Sequence, residues 1–250
     1  NTPRILIIGA STTIAEYMLP SLLGEFKEKH PGINIRLKVS NSVGIVHMVE
    51  DNSVDVGIVE SPIANKNLVV EVCWHDKLVF ICPPQHALAK KPRITVDDLQ
   101  GLPFVVREEG SGTRDFINEY LAKNNMQLHD LNVNLEVGNP EAVKSAVEAG
   151  LGVSIVSQAT VVKELKLGTL AVRPLEPVVW LVVGLTAAPS VALWTWVGGR
   201  LGMARAVFHT AASRERARAD RAPSTLFTAL RKRPSRGRID GSGVRVAART

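Results

Sequence analysis

The chain has 250 residues, 45% of them hydrophobic, and two cysteines. It can bury a sizeable core, is not globally disordered, and cannot rest on a disulfide framework. A net charge of +6 would ordinarily point to a polyanionic partner, but the charge is concentrated at one end. Residues 1–177 hold 17 basic and 21 acidic residues, a net −4, whereas residues 178–250 hold 13 basic and 3 acidic ones, a net +10. The basic character therefore belongs to the tail and says little about the front of the chain.

Taken in order, the front alternates strand and helix patterns. Arg4–Ile8 is a short apolar β run. Thr13–Lys29 has helical periodicity through Ile14, Tyr17, Met18, Leu22 and Phe26, with a kink predicted at Pro20. Ile33–Val39 alternates as a half-buried strand, Ser42–Asp51 is a short helix, and Val54–Val59 is a buried strand. Leu68–Trp74 and Leu78–Cys82 read as two strands that nearly touch. A short helix capped by Thr95 precedes a strand at Phe104–Arg107, an amphipathic helix at Ser111–Asn124 and a strand at Leu131–Val137. Asn139, Pro140, Glu141 and Gly150 bracket a helix, and Gly152–Val156 and Leu170–Pro174 are further strands. The rhythm predicts an α/β protein with a largely parallel sheet, whose ligands bind beyond the carboxyl ends of the strands.

The end of the chain reads differently. Residues 178–199 carry no charge, a length that could span a bilayer; the alternative is a buried strand, VVWLVVGL, then a turn at Pro189-Ser190. From Arg200 onward the sequence is rich in Ala, Arg, Gly and Ser, as in a disordered basic tail or a non-native end. The first residue is Asn1, which reads as a fragment or a processed product, and no leader-like segment opens the chain.

Small hydroxyl or amide residues stand at several strand-to-helix junctions: Ser11-Thr12-Thr13, Ser40-Asn41-Ser42, Ser111-Gly112-Thr113 and Asn139. Any one of them could be an ordinary helix cap. Together they could surround an anion, because helix N-termini present free N–H groups and partial positive charge. The stretch Arg107-Glu108-Glu109-Gly110-Ser111-Gly112-Thr113-Arg114 adds two guanidinium groups, two hydroxyls and two glycines that allow close backbone approach. It could equally be a tight loop in which an arginine pairs with Glu108 or Glu109.

Enzyme signatures are missing: there is no P-loop, no G-x-G-x-x-G after a strand, no H-E-x-x-H and no G-x-S-x-G. The six histidines are dispersed. Cys73, Cys82 and His75 lack a usual zinc spacing and read as core thiols beside a strand histidine, so no metal and no cofactor are expected.

The front 177 residues resemble the effector-binding domain of LysR-type transcriptional regulators. The resemblance rests on GASTTIAEYMLPSLLGEFKEKHPGI at 9–33, VSNSVGIVHMVEDNSVDVGIVE at 39–60, CPPQHALA at 82–89, PFVVREEGSGTR at 103–114 and VGNPEAVKSAVEAGLGVSIVS at 137–157. REEGSGTR looks like the branch that holds regulators of carbon fixation and of cysteine metabolism. The resemblance implies a type II periplasmic-binding-protein-like fold, with two Rossmann-like lobes joined by two crossing strands. Lobe one would be residues 1–75 plus 168–199 and lobe two 76–167, with crossings near Cys73–Leu78 and Thr169–Pro174; residues 200–250 would be the basic tail. It also implies an effector between the lobes, held by Ser11, Thr12, Thr13 and Ser42 from one side and by Arg107, Ser111, Gly112, Thr113 and Arg114 from the other, with Asn139 at a neighbouring helix start. Glu60, at a strand end, would face a cationic group or pair with an arginine.

By the same resemblance the chain would be a cytoplasmic sensor of a small anionic metabolite, not an enzyme. It would form homodimers or tetramers, work with RNA polymerase, and reach DNA only through an N-terminal winged helix-turn-helix that has no counterpart in this sequence. After Glu176 the family pattern is not followed: VVWLVVGL could supply the closing strand of lobe one, but no clear closing helix follows. A secreted phosphate- or sulfate-binding protein would share the fold and the Ser-Gly-Thr-Arg chemistry, and an enzyme on the same fold is a third reading; fold alone does not choose among them.

Overall fold

The computed structural model describes residues 4–60 and 67–187. The apolar run at the start extends further than its hydrophobic residues, forming β1 (Arg4–Ser11). It pairs in parallel with β2 (Ile33–Ser40) and β3 (Val56–Glu60). Between β1 and β2, a single π-helical stretch (Ile14–Met18) leads into α1 (Leu19–Lys29). The predicted kink is thus a π-turn placed just before Pro20. Proline lacks an N–H and would crowd the carbonyl four residues back, so a wide turn ahead of it removes both conflicts. Helix α2 (Ser42–Glu50) connects β2 to β3, with Asn41 as its cap: the side chain accepts from the Gly44 N–H at 2.8 Å.

The two strands expected at Leu68–Trp74 and Leu78–Cys82 are one, β4 (Val69–Cys82), 14 residues long. Its near half is partly exposed and its far half, Leu78–Cys82, fully buried. It is the first crossing between lobes. The second lobe contains β5 (Pro103–Arg107) and β6 (Asn132–Val137), paired in parallel, and β7 (Ser154–Ser157) and β8 (Ala171–Pro174), both antiparallel to the far half of β4. Its helices are α3 (Gly112–Lys123), α4 (Pro140–Glu148) and α5 (Val162–Leu167). Ahead of β5 the turn Val96–Leu99 is 3₁₀, and both the Thr95 N–H and its hydroxyl donate to Asp98, at 2.8 and 2.9 Å.

VVWLVVGL supplies a strand: β9 (Trp180–Ala187) lies antiparallel between β3 and the near half of β4. Because β8 still pairs with Val79–Cys82, the second crossing runs through residues 175–179, a few residues later than the Thr169–Pro174 expected. The sheet is mixed instead of largely parallel, since β4 and β9 carry the chain out and back. The rest of the segment read as a span, residues 188–199, and the tail, 200–250, lie outside the described residues. Among the described residues no helix is long and apolar enough to cross a membrane.

One apolar cluster reaches through both lobes, from Leu6, Ile8, Phe26 and Ile58 to Phe80, Phe104, Phe116 and Leu121. Burying a side chain of this size contributes about 1.5–3 kcal/mol. A second cluster seats α4 on β4, β5 and β7 through Val143, Val147, Val79, Val105 and Val156. Both clusters hold the strand ends rigidly, which fixes where the junction residues meet.

Candidate functional site

Three strands end at one place. β1 ends at Ser11, β3 at Glu60 and β5 at Arg107, and all three residues are at most 3% exposed. The helical segments that follow β1 and β5, and α2 after β2, begin around the same point with Thr13, Ser111 and Ser42, all buried. The carboxyl ends of parallel strands and the starts of helices therefore converge between the lobes.

The lobes touch through these residues. Thr113 donates from its hydroxyl to Glu60 Oε1 at 2.9 Å, and Ser42 donates to the Glu60 carbonyl at 3.3 Å. Gly112 lies flat against that same carbonyl: a β-carbon there would stand 1.3 Å from the oxygen. On the rim, the Val43 N–H donates to the Gly110 carbonyl and Asn41 Nδ2 to the Glu109 carbonyl, both at 3.3 Å. Arg107 grips Glu108 with Nε at 2.7 Å and Nη2 at 2.9 Å, and Nη2 also reaches Thr12 Oγ1 across the cleft at 2.9 Å. The Arg–Glu pair and the cleft-facing arginine, alternatives in the sequence, are both present in one side chain.

Five buried polar atoms here have no hydrogen-bond partner: Ser11 Oγ, Thr13 Oγ1, Ser111 Oγ, Arg107 Nη1 and Glu60 Oε2. Leaving such groups unpaired is costly, and native interiors do so rarely. Ser111 stands at the cap position of α3, yet its hydroxyl makes no capping bond; Thr13 is already helical in backbone and makes none either. Burial pushes the Glu60 carboxyl up to about 7, against the pull of the Thr13 and Thr113 hydroxyls and the Arg107 guanidinium.

Two candidates are placed otherwise. Asn139 caps α4, accepting from the Ala142 N–H at 2.8 Å in an exposed position. Arg114 turns away, donating to Glu136 at 2.5 Å and to the Arg107 carbonyl at 3.0 Å, so it braces the strand end that carries Arg107. Cys82 packs in the core and the Cys73 thiol donates to the Val183 carbonyl at 3.4 Å. Among the described residues no group of three or more His, Cys, Asp and Glu side chains gathers to hold a metal.

The sequence alone does not mark two further groups. Asp76, in the crossing strand, accepts from the Ser157 hydroxyl and from the Ala159 N–H at 3.3 Å; burial pushes its carboxyl up, and it acts on Glu60. At the α4 corner, Tyr17 of lobe one donates to Glu141, and Lys144 Nζ lies 5.0 Å over the Tyr17 ring. Lys144 is buried and uses all three donors: Glu141 at 2.9 Å, Glu164 at 2.6 Å and the Thr160 carbonyl at 2.9 Å. Its only signal is position, since it shares the buried face of α4 with Pro140, Val143 and Val147.

Two α/β lobes joined by two crossing strands, with a donor-rich cleft between them, define a binding protein of the type II periplasmic class of fold. The particular family follows from comparison: residues 3–193 match the LysR substrate binding domain, and the chain belongs to that family. Among its relatives, the HTH-type transcriptional activator CmpR of Synechocystis sp. is 35% identical over 67% of this chain and 54% of its own. A probable RuBisCO transcriptional regulator of Thalassiosira pseudonana is 36% identical over 68% and 57%. The chain thus spans about half the length of the curated relatives it matches. Among solved structures, the regulatory domain of Synechocystis CcmR in complex with 2-PG superposes with a TM-score of 0.69 at 32% identity, over 78% of this chain and 94% of that one. The effector binding domain of QuiR in complex with shikimate gives 0.67 at 20% identity, over 76% and 91%, a likeness of fold.

Proposed function

We propose that this chain is the ligand-sensing part of a LysR-type transcriptional regulator and that it binds a small anionic metabolite between its lobes. The observation that carries the reading is Ser111: a buried hydroxyl at a helix start, free of capping duty, in the same cleft lining as an unpaired arm of Arg107. Ser11, Thr12, Thr13, Ser42, Glu60, Gly112 and Thr113 complete the pocket, with Arg114 bracing Arg107 from behind and Asn139 outside it. Hydroxyls, a helix N-terminus and a guanidinium suit carboxylate, phosphate or a similar group. The resemblance to CcmR, solved with 2-PG, and the naming of relatives as transcriptional regulators favour a sensor over a secreted oxyanion binder or an enzyme.

In the cell the protein would work in the cytoplasm as a dimer or tetramer. The ligand would favour one lobe arrangement and so change how attached DNA-binding domains, and through them RNA polymerase, are engaged; the shift can be no larger than its differential affinity for the two arrangements. The test is thermal unfolding of the 250-residue chain against sulfate, phosphate, phosphoenolpyruvate and sugar bisphosphates. A saturable rise in midpoint with one of them, reduced by Ser111→Ala, is the expected result. A rise equal in the Ser111→Ala chain would place the ligand elsewhere.

A further inference from the structure

The unpaired groups of the cleft are not alike. Ser11, Thr13, Ser111 and Arg107 Nη1 offer donors, as does the start of the 12-residue helix α3. Glu60 Oε2 offers only an acceptor while it is ionised. It belongs to a side chain 1% exposed, held from behind by Thr113 on Oε1 and with the Thr13 hydroxyl near enough to act on the carboxylate, and among the described residues its Oε2 has no hydrogen-bond partner. A fully ionised oxyanion has acceptors only, and it would meet this oxygen with like charge and no proton between them. An anion that carries a proton or a hydroxyl turns the same encounter into a charge-assisted hydrogen bond.

We infer that Glu60 makes the cleft select anions that carry a hydrogen-bond donor of their own, whether a protonated oxyanion or an acid with a neighbouring hydroxyl or amino group, over fully ionised oxyanions such as sulfate. The inference rests on the cleft's being an anion site and adds the residue that chooses among anions. The charged groups acting on Glu60 among the described residues are Arg107 from β5 and Asp76 from β4; the Arg107 guanidinium acts in turn on Glu16 of the π-helical stretch. When Glu60 takes up a proton it becomes a donor itself, and the discrimination against sulfate disappears.

Inorganic phosphate and sulfate separate these cases, because hydrogen phosphate keeps a proton at pH 8.5 and sulfate has none. Calorimetric titration of the full chain at pH 8.5 is expected to give phosphate at least a tenfold advantage. Sulfate affinity should rise at least tenfold on going to pH 6. Glu60→Gln, which presents both a donor and an acceptor without charge, should bind sulfate at least tenfold tighter than the parent at pH 8.5 and lose the pH dependence. Affinities for the two anions within twofold of each other in the parent chain at pH 8.5 would overturn the inference while leaving the anion site standing, and so would a sulfate affinity unmoved by Glu60→Gln. No binding of either anion by either chain would overturn the inference together with the anion reading. Should Glu60→Gln fail to fold, the ratio and its pH dependence in the parent chain decide alone.

Discussion

The α4 corner and the cleft are built from the same kinds of residue and put them to opposite use. At the corner, Asn139 spends its carbonyl on the Ala142 N–H and Lys144 spends all three donors on Glu141, Glu164 and Thr160. In the cleft, Ser111 occupies the cap position of α3 and caps nothing, and Arg107 keeps one arm without a partner. A polar group whose bonds are closed within the chain contributes to folding. One left open in the interior lowers stability and remains available to a bound group. The difference teaches that residue type at a junction does not separate a cap from a ligand contact; the bond actually made does.

Substitutions can test that division, beginning with the largest effect. Lys144→Ala leaves two carboxylates without their buried partner and should lower unfolding free energy by about 3–5 kcal/mol in urea denaturation. Arg107→Gln removes the one guanidinium that, among the described residues, reaches across between the lobes; it should weaken the binding of any anion that stabilises the parent by more than tenfold, read by calorimetry. A third expectation concerns pH. The Glu60 carboxyl sits near 7 when folded and near its ordinary value of 4.5 when unfolded, so between those values the folded chain holds a proton that the unfolded chain has released. Stability without added anion should therefore fall as pH rises from about 4.5 to about 7 and then level off, with Asp76 shifted in the same direction. Glu60→Gln should flatten most of that slope, and an unchanged slope would assign it to other groups. The smallest effects make the sharpest pair. Asn139→Ala should cost about 1 kcal/mol of stability with anion affinity untouched, whereas Ser111→Ala should leave stability nearly unchanged and weaken the anion. A swap of those two outcomes would reverse the roles given to the corner and the cleft.

Much of this was legible before any coordinates. Periodicity located β2 and α2, and the cap at Asn139 with Pro140 fixed the start of α4, because each is a local signal that tertiary contacts only reinforce. The failures are tertiary in origin. His75-Asp76-Lys77 interrupts two apolar runs and so reads as a break between two strands; it is the middle of a continuous strand, half-exposed because it passes between lobes, with Asp76 satisfied by Ser157, 81 residues away in sequence. The mixed sheet follows from the same crossing, since a return strand from the end of the chain inserts between β3 and β4. In the cleft, nine candidates meet around one point, but Asn139 and Arg114 could be told apart from them only by partners, Ala142 and Glu136, that no spacing rule names.

The bare α-carbon of Gly112 against the Glu60 carbonyl sets the clearance of the whole assembly. The two halves can approach until a hydrogen atom fills that gap, and no amino acid but glycine leaves so little in the way. A single methyl group at this position would act as a shim, propping the halves apart while leaving each intact. Position 112 is thus where the thickness of one side chain becomes the angle of a molecule, and a Gly112→Ala chain is a ready means of asking which angle ligand binding requires.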